Sequence, residues 1–184
     1  MEPTRWLDQE EQRTWRTFML AMKLLQEQLD RELDRDTEVP SAYYEVLVRL
    51  SEAPGRRLRL SELADQSQSS RSRLSHSLAR LEALGWIERQ ACESDRRGAF
   101  AVLTDEGFAA LDAAAPVHVR GVRAHLFDQL DEDELVQLRA ISERLLGHLA
   151  AVGDRTPDVL SLLGALGECP SVSGSTAPAV PASG

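Results

Sequence analysis

The fold class predicted from this chain is mainly α with a small β-wing, and three observations predict it. Apolar residues recur at helical spacing through most of the first 150 positions. Strand-like runs appear only between Arg56 and Leu103. Inside that window, two short helical segments flank the polar run Asp65-Gln66-Ser67-Gln68-Ser69, as in a helix-turn-helix corner that lacks the common glycine.

Residues 1–7 read as a loose lead-in, with Trp6 and Leu7 suited to docking on another surface. Asp8 and Glu11 form a D-x-x-E helix start. Behind it Trp15, Phe18, Met19, Met22, Leu25, Leu29 and Leu33 keep helical spacing, so one long amphipathic helix is expected. A helix of that length needs a second surface to bury its stripe. Asp34 to Val39 reads as a polar connection, and Ser41 as the cap of a helix carrying Tyr43, Tyr44, Val46, Leu47 and Leu50. That helix stops before the turn pair Pro54-Gly55. The alternating Arg56-Arg57-Leu58-Arg59-Leu60 suggests a short third strand for the wing, and Ser61 opens a short helix with Leu63 and Ala64 inward.

The next helix is capped by Ser69 or Ser70, and its free N–H groups suit a phosphate. Leu74, Leu78, Leu81 and Leu84 form its apolar stripe. The opposite face holds Ser72, Ser75, His76, Ala79 and Arg80, with Arg71 and Arg73 at the leading end. Short side chains permit close approach to a major groove, and Arg or His reaches phosphates and base edges. His76 reads equally well as a groove contact and as an exposed polar residue. Gly85 marks the helix stop, Trp86-Ile87-Glu88-Arg89 begins a strand, and Ala99 to Leu103 is its antiparallel partner. Glu93 to Gly98 joins them, and the arginines of that tip, Arg96 and Arg97, suit a narrow, negative minor groove. Residues 56–100 carry nine Arg against six Asp and Glu, a net +3, so the remainder carries −12 of the total −9. A protein that coats nucleic acid without selection would be basic throughout, whereas clustered cations suit a sequence reader.

Thr104 caps the following helix, with Asp105 and Glu106 favouring its dipole. Phe108, Leu111, Ala115, Val119, Val122, Leu126 and Leu130 form the expected stripe, and Pro116 is expected to kink or split it. Asp131 and Glu134 restart a helix with Leu130 and Leu135 as a hydrophobic staple, and Leu135, Leu138, Ile141, Leu145 and Leu149 follow as its stripe. Val159 to Leu166 suggests a short docking helix, and the Pro, Ser, Gly, Ala and Thr from Glu168 onward suggest disorder. The division is therefore 8–55 for N-terminal helices, 56–103 for the winged helix-turn-helix, 104–150 for C-terminal dimerisation helices and 151–184 for a tail.

Asp95-Arg96-Arg97 followed by Leu103-Thr104-Asp105-Glu106-Gly107 resembles the wing and wing-exit signature of the MarR family of regulators, D-x-R and then L-T-x-x-G. The likeness covers residues 10–150 in element order, with its sharp motif inside 58–107. It implies a winged helix-turn-helix domain plus a helical dimerisation domain, and a homodimer on a palindromic DNA site. DNA contact falls on Ser69, Ser70, Arg71, Ser72, Arg73, Ser75, His76, Arg80, Asp95, Arg96 and Arg97, with Asp95 aiming Arg97 through a charge-assisted pair. The resemblance also implies repression relieved by a small aromatic or phenolic effector, for which Trp15, Met19, Tyr43, Tyr44, His118 and Arg120 are the candidate lining; taken singly, the aromatic residues and Met19 read better as core.

Other classes find less support. The chain lacks a nucleophile elbow, a Gly-rich phosphate loop and any Cys or His cluster, so no enzyme, cofactor or metal is expected. His118 and His125 are two turns apart, too far for a metal pair unaided. Cys92 and Cys169 make neither a disulfide framework nor a zinc site. Cys92 lies beside the wing tip with Arg89 near, but the peroxide sensors of the resembled family place their reactive Cys near the chain start, so an inert thiol is the better reading. No apolar run is long enough for a membrane span, and a cytoplasmic protein is expected. The rival binding class is a winged-helix protein–protein adaptor without DNA contact, which would replace the arginines of helix and wing by acidic or apolar groups.

Overall fold

Asp8 starts the first helix as its spacing predicts. In the computed structural model, which describes residues 3–66, 71–92 and 95–152, its carboxylate accepts the Glu11 N–H at 2.8 Å while Glu11 accepts the Asp8 N–H at 2.9 Å. The side chains of 65–73 and 92–98 lie outside the description, as do residues 153–184 with the expected docking helix and tail. Helix α1 runs Gln9–Asp36, and only Leu29 and Leu33 of its stripe are buried. Trp15, Phe18, Met19 and Met22 remain exposed, together with Leu20 and Leu24 beside them.

Helix α2 spans Ser41–Glu52, but Ser41 is not its cap. Pro40 holds that position, and the Ser41 N–H donates instead to Asp34 Oδ1 at 2.7 Å. The turn between the helices makes this substitution work. Thr37 Oγ1 lies 2.9 Å from the Leu33 carbonyl oxygen and accepts the Val39 N–H, folding the chain so that Asp34 faces the new helix start.

A 3-10 turn at Pro54–Arg56 leads into strand β1, Arg57–Arg59. Gly55 and Arg56 are both left-handed there, at φ 65° and 53°. For Arg56 that conformation is uncommon, and its side chain is fastened on both sides, to Asp105 at 3.0 Å and over the Phe108 ring at 3.9 Å. Helices α3 (Leu60–Gln66) and α4 (Arg71–Ala83) follow, then strands β2 (Ile87–Cys92) and β3 (Asp95–Leu103). Asp65 and Gln66, expected in the corner, belong to α3. The sheet is antiparallel in the order β1-β3-β2. Its period of two puts Leu58, Ile87, Ala101 and Leu103 toward the helices and Arg57, Arg59, Phe100 and Val102 away from them.

Helix α5, Asp105–His125, continues through Pro116 as one helix, so the chain does not split there. Pro116 and Asp112, whose carbonyl loses its partner, are both exposed, so that oxygen is on the solvent side while Leu111 and Ala114 hold the packed face. The stripe also differs from expectation. Val119 is 55% exposed and Phe108 lies at the surface, whereas Gly107, Leu111, Ala114 and Gly121 are buried. Small residues win at Gly121 because α1 crosses there: an added Cβ would meet Glu32 Oε2 at 2.6 Å and Leu29 Cδ2 at 2.8 Å.

The core joins α1's end, α2, α3, α4, the inner sheet face and α5 through Leu33, Val46, Leu47, Leu50, Leu63, Leu74, Leu78, Leu81, Ile87 and Leu111. Each fully buried leucine contributes about 1.5–3 kcal/mol. These elements form one compact unit ending at Gln129. The second unit begins at Leu130 and, among the described residues, consists of α6, Glu132–Val152. The Asp131–Glu134 capping box opens α6 at 2.9 and 3.0 Å, and Val136, Ile141, Leu145, Leu149 and Val152 are exposed along it.

Candidate nucleic-acid interface

The face of α4 opposite the core follows from where its leucines go. Leu74, Leu78 and Leu81 are buried at 5%, 3% and 0% exposure, which turns Ser75, His76, Ala79 and Arg80 to solvent. Leu84, expected in the same stripe, is instead exposed, because the helix stops at Ala83. A Schellman motif makes that stop. Gly85 takes φ 72°, its N–H reaches the Glu82 carbonyl, and the Trp86 N–H reaches the Leu81 carbonyl, each at 3.0 Å. The chain is thereby aimed from α4 straight into β2.

Ser69 and Ser70 lie outside the described residues, and so do the side chains of Arg71, Ser72, Arg73, Asp95, Arg96 and Arg97. The backbone places 71–73 in the first turn of α4 and 95–97 at the start of β3. The second placement corrects the expectation of a loop running Glu93 to Gly98. Cys92 pairs with Asp95 while Ala91 pairs with Ala99, so the residues between form a bulge within the ladder rather than a free tip.

Arg89 and Glu82 pair at 3.0 Å and tie β2 to α4. Two arginines that sequence reasoning left unassigned stand on the outer sheet face, with Arg57 3.7 Å and Arg59 5.4 Å from the Phe100 ring centroid. The alternation of 56–60 had marked a strand; the signal for the stack was the apolar Phe100 at an outward register position, visible only once the strands are paired.

The expected effector residues separate into groups. Tyr44 and His118 meet with ring centroids 4.8 Å apart. Tyr43, next to Tyr44 in the chain, is half-buried, and Arg120 is exposed within electrostatic reach of Asp36. Trp15 and Met19 stand on α1 about 21 and 15 Å before Leu29, where α5 crosses, so one subunit does not bring them to the Tyr44–His118 pair. His125 Nε2 donates to Glu32 Oε1 at 2.7 Å, and this contact holds the Glu32 carboxyl below its usual range. Among the described residues no group of three or more His, Cys, Asp or Glu is placed to hold a metal ion, and no helix is long and apolar enough to cross a membrane.

Burial holds the His118 imidazole below its ordinary value, against a smaller opposing pull from Asp30. Its buried Nδ1 has no hydrogen-bond partner among the described residues, which favours the neutral ring further. The unfolded chain therefore takes the proton first. This stabilisation is complete above about pH 6.5 and is lost as pH falls through and below that value. The urea midpoint is expected to fall between about pH 7.5 and 5.5, and to fall less in His118→Phe; equal slopes would show that His118 is not the group responsible.

Three comparisons bear on this geometry. A family model described as the MarR family matches residues 38–98. The HTH-type transcriptional regulator PecS of Dickeya dadantii (strain 3937) is 36% identical over 89 residues, which is 48% of this chain and 53% of that protein; the chain thus spans about half the length of this curated relative. Among solved structures, Sco3205, a MarR family transcriptional regulator from Streptomyces coelicolor in complex with DNA, is 47% identical with a TM-score of 0.74, covering 81% of this chain and 93% of that one. AbsC, a MarR family regulator from the same organism, is 42% identical with a TM-score of 0.72, covering 80% and 99%.

Proposed function

Because this chain belongs to the MarR family, whose members are transcriptional regulators and not enzymes, we propose that it binds double-stranded DNA sequence-specifically as a homodimer and acts as a repressor. The observation that carries this reading is the two-sided character of α4. Its leucines are locked in the core while Ser75, His76, Ala79 and Arg80 face outward, beside a sheet whose central strand begins with Asp95, Arg96 and Arg97. The DNA-bound state of Sco3205, at 47% identity, supports it.

The apolar faces that α1 and α6 leave exposed are the surfaces for a second copy, consistent with residues 8–55 and 104–150 serving dimerisation. Two-fold symmetry then sets two α4 helices about 34–36 Å apart, one turn of a palindromic site. A small aromatic or phenolic effector acts by changing that spacing, since both helices must enter successive grooves together. Tyr44 and His118 supply part of its site in one subunit, and Trp15 and Met19 are available to a cleft only through the other.

A gel shift on the DNA upstream of its own gene, at two salt concentrations, tests the reading. A DNA reader loses affinity steeply with salt, in proportion to the phosphates contacted; a protein–protein adaptor shifts nothing. Arg97→Ala is expected to weaken binding roughly tenfold or more across sequences, and Asp95→Ala less, by loosening that arginine. Unchanged affinity in Arg97→Ala would remove the wing from the interface.

A further inference from the structure

The outer face of the sheet carries a cationic stack that the reading above does not use. Arg59 is paired across the β1–β3 ladder with Phe100, and Arg57 with Val102, so both guanidinium groups and the ring share one face. The two cations are no farther apart than 3.7 and 5.4 Å laid end to end. Of the nearby arginines, Arg56 is tied to Asp105 and Arg89 to Glu82, each at 3.0 Å. Arg57 is exposed and pairs with no carboxylate among the described residues.

Shielding the half-buried Phe100 ring does not require the Arg57 guanidinium, since one long apolar side chain would cover it equally well. An aromatic platform does something else for arginine. It holds the planar guanidinium by one face, limits its rotamers, and leaves the N–H edge directed outward, the form that suits a phosphate. Position agrees with that chemistry. Phe100 follows Arg97 on the same strand by three residues, at most about 10 Å across the bulge, and a minor groove about 6 Å wide is walled by phosphates. The stack is therefore near enough for the backbone of a duplex whose minor groove receives the start of β3 to reach it.

We propose that Arg57, supported on Phe100, contacts the DNA phosphate backbone beside the groove entered by the wing, an inference that rests on the DNA-binding reading above. The contact adds affinity without adding sequence information.

The test uses the full-length protein with two duplexes of equal length, one from upstream of its own gene and one scrambled, titrated at several salt concentrations. Arg57→Ala is expected to weaken binding to both by a similar factor, about tenfold, and to make the log affinity against log salt line shallower by about one contact per subunit. Arg57→Gln, polar and close in size, is expected to do the same, which guards against a folding defect in the alanine variant. Arg57→Lys is expected to retain the salt slope. Phe100→Leu is expected to weaken binding in the native background but not further in Arg57→Ala. Native affinity and slope in both Arg57→Ala and Arg57→Gln would overturn this inference alone. So would a loss confined to one duplex, which would mean base reading. Failure of the unsubstituted protein to bind either duplex would overturn the DNA-binding reading itself.

Discussion

Replacing Gly107 by alanine is expected to destabilise the protein by about 3 kcal/mol, at the upper end of what overpacking usually costs. A Cβ at this position would fall on the Trp86 carbonyl oxygen and within 2.9 Å of Leu103 Cδ1 and the Trp86 carbonyl carbon. The obstacle is backbone, so no rotamer change relieves it. That same carbonyl accepts the Thr104 N–H at 3.0 Å, and Thr104 Oγ1 donates to the Gly85 carbonyl at 2.7 Å while accepting the Gly107 N–H. Opening the contact thus loosens the α5 cap and the α4–β2 turn together. At about 2–4 °C per kcal/mol, the melting temperature measured at fixed protein concentration is expected to drop by about 6–12 °C. Helix propensity argues for the opposite sign, since alanine is better than glycine in a helix by about 0.5–1 kcal/mol. Gly147→Ala, where an added Cβ meets nothing within 4 Å, is expected to show that gain. A Gly107→Ala variant as stable as the native chain would mean the close approach is not real.

Leu81→Ala is the second large effect, expected at about 2–5 kcal/mol. Leu81 has 0% exposure at the base of α4, and its carbonyl accepts the Trp86 N–H that ends the helix. Truncation leaves a cavity beneath the helix proposed to enter DNA, so DNA affinity is expected to fall along with stability although no DNA-facing group is touched. Leu84→Ala, three residues on, should stay within about 0.5 kcal/mol because Leu84 is already at the surface. Urea titration separates them: the Leu81 variant should lower the midpoint with the slope nearly unchanged. Equal midpoints for the two variants would contradict the placement of α4 on the core.

The contrast between those two leucines shows how far a linear reading reaches. Leu74, Leu78, Leu81 and Leu84 have equivalent spacing signals, and only the Schellman turn at Gly85 takes Leu84 out of the helix. Likewise Ser41 has the right chemistry for a cap, but Asp34, seven residues earlier, supplies the acceptor because Thr37 folds the intervening turn. Asp95 to Arg97 read as a turn and lie on a bulged strand instead, since ladder pairing is decided by the partner strand. The Arg57–Phe100–Arg59 stack joins residues some forty positions apart, and no local pattern announces it.

What the amino-acid order alone determined are the features whose partners lie within one helical turn: the Asp8–Glu11 and Asp131–Glu134 boxes, the Thr104 cap, the Gly85 stop, and the alternation of leucines with polar groups along α4. Short-range hydrogen bonds and the 3.6-residue period depend on neighbours that the chain itself supplies. Only the tertiary structure decided which apolar residues are buried, why glycine is needed at 107 and 121, and which arginines stand on an aromatic platform. Those outcomes depend on what packs against each element from elsewhere in the chain, and close packing is a property of the assembled pair of surfaces rather than of either segment.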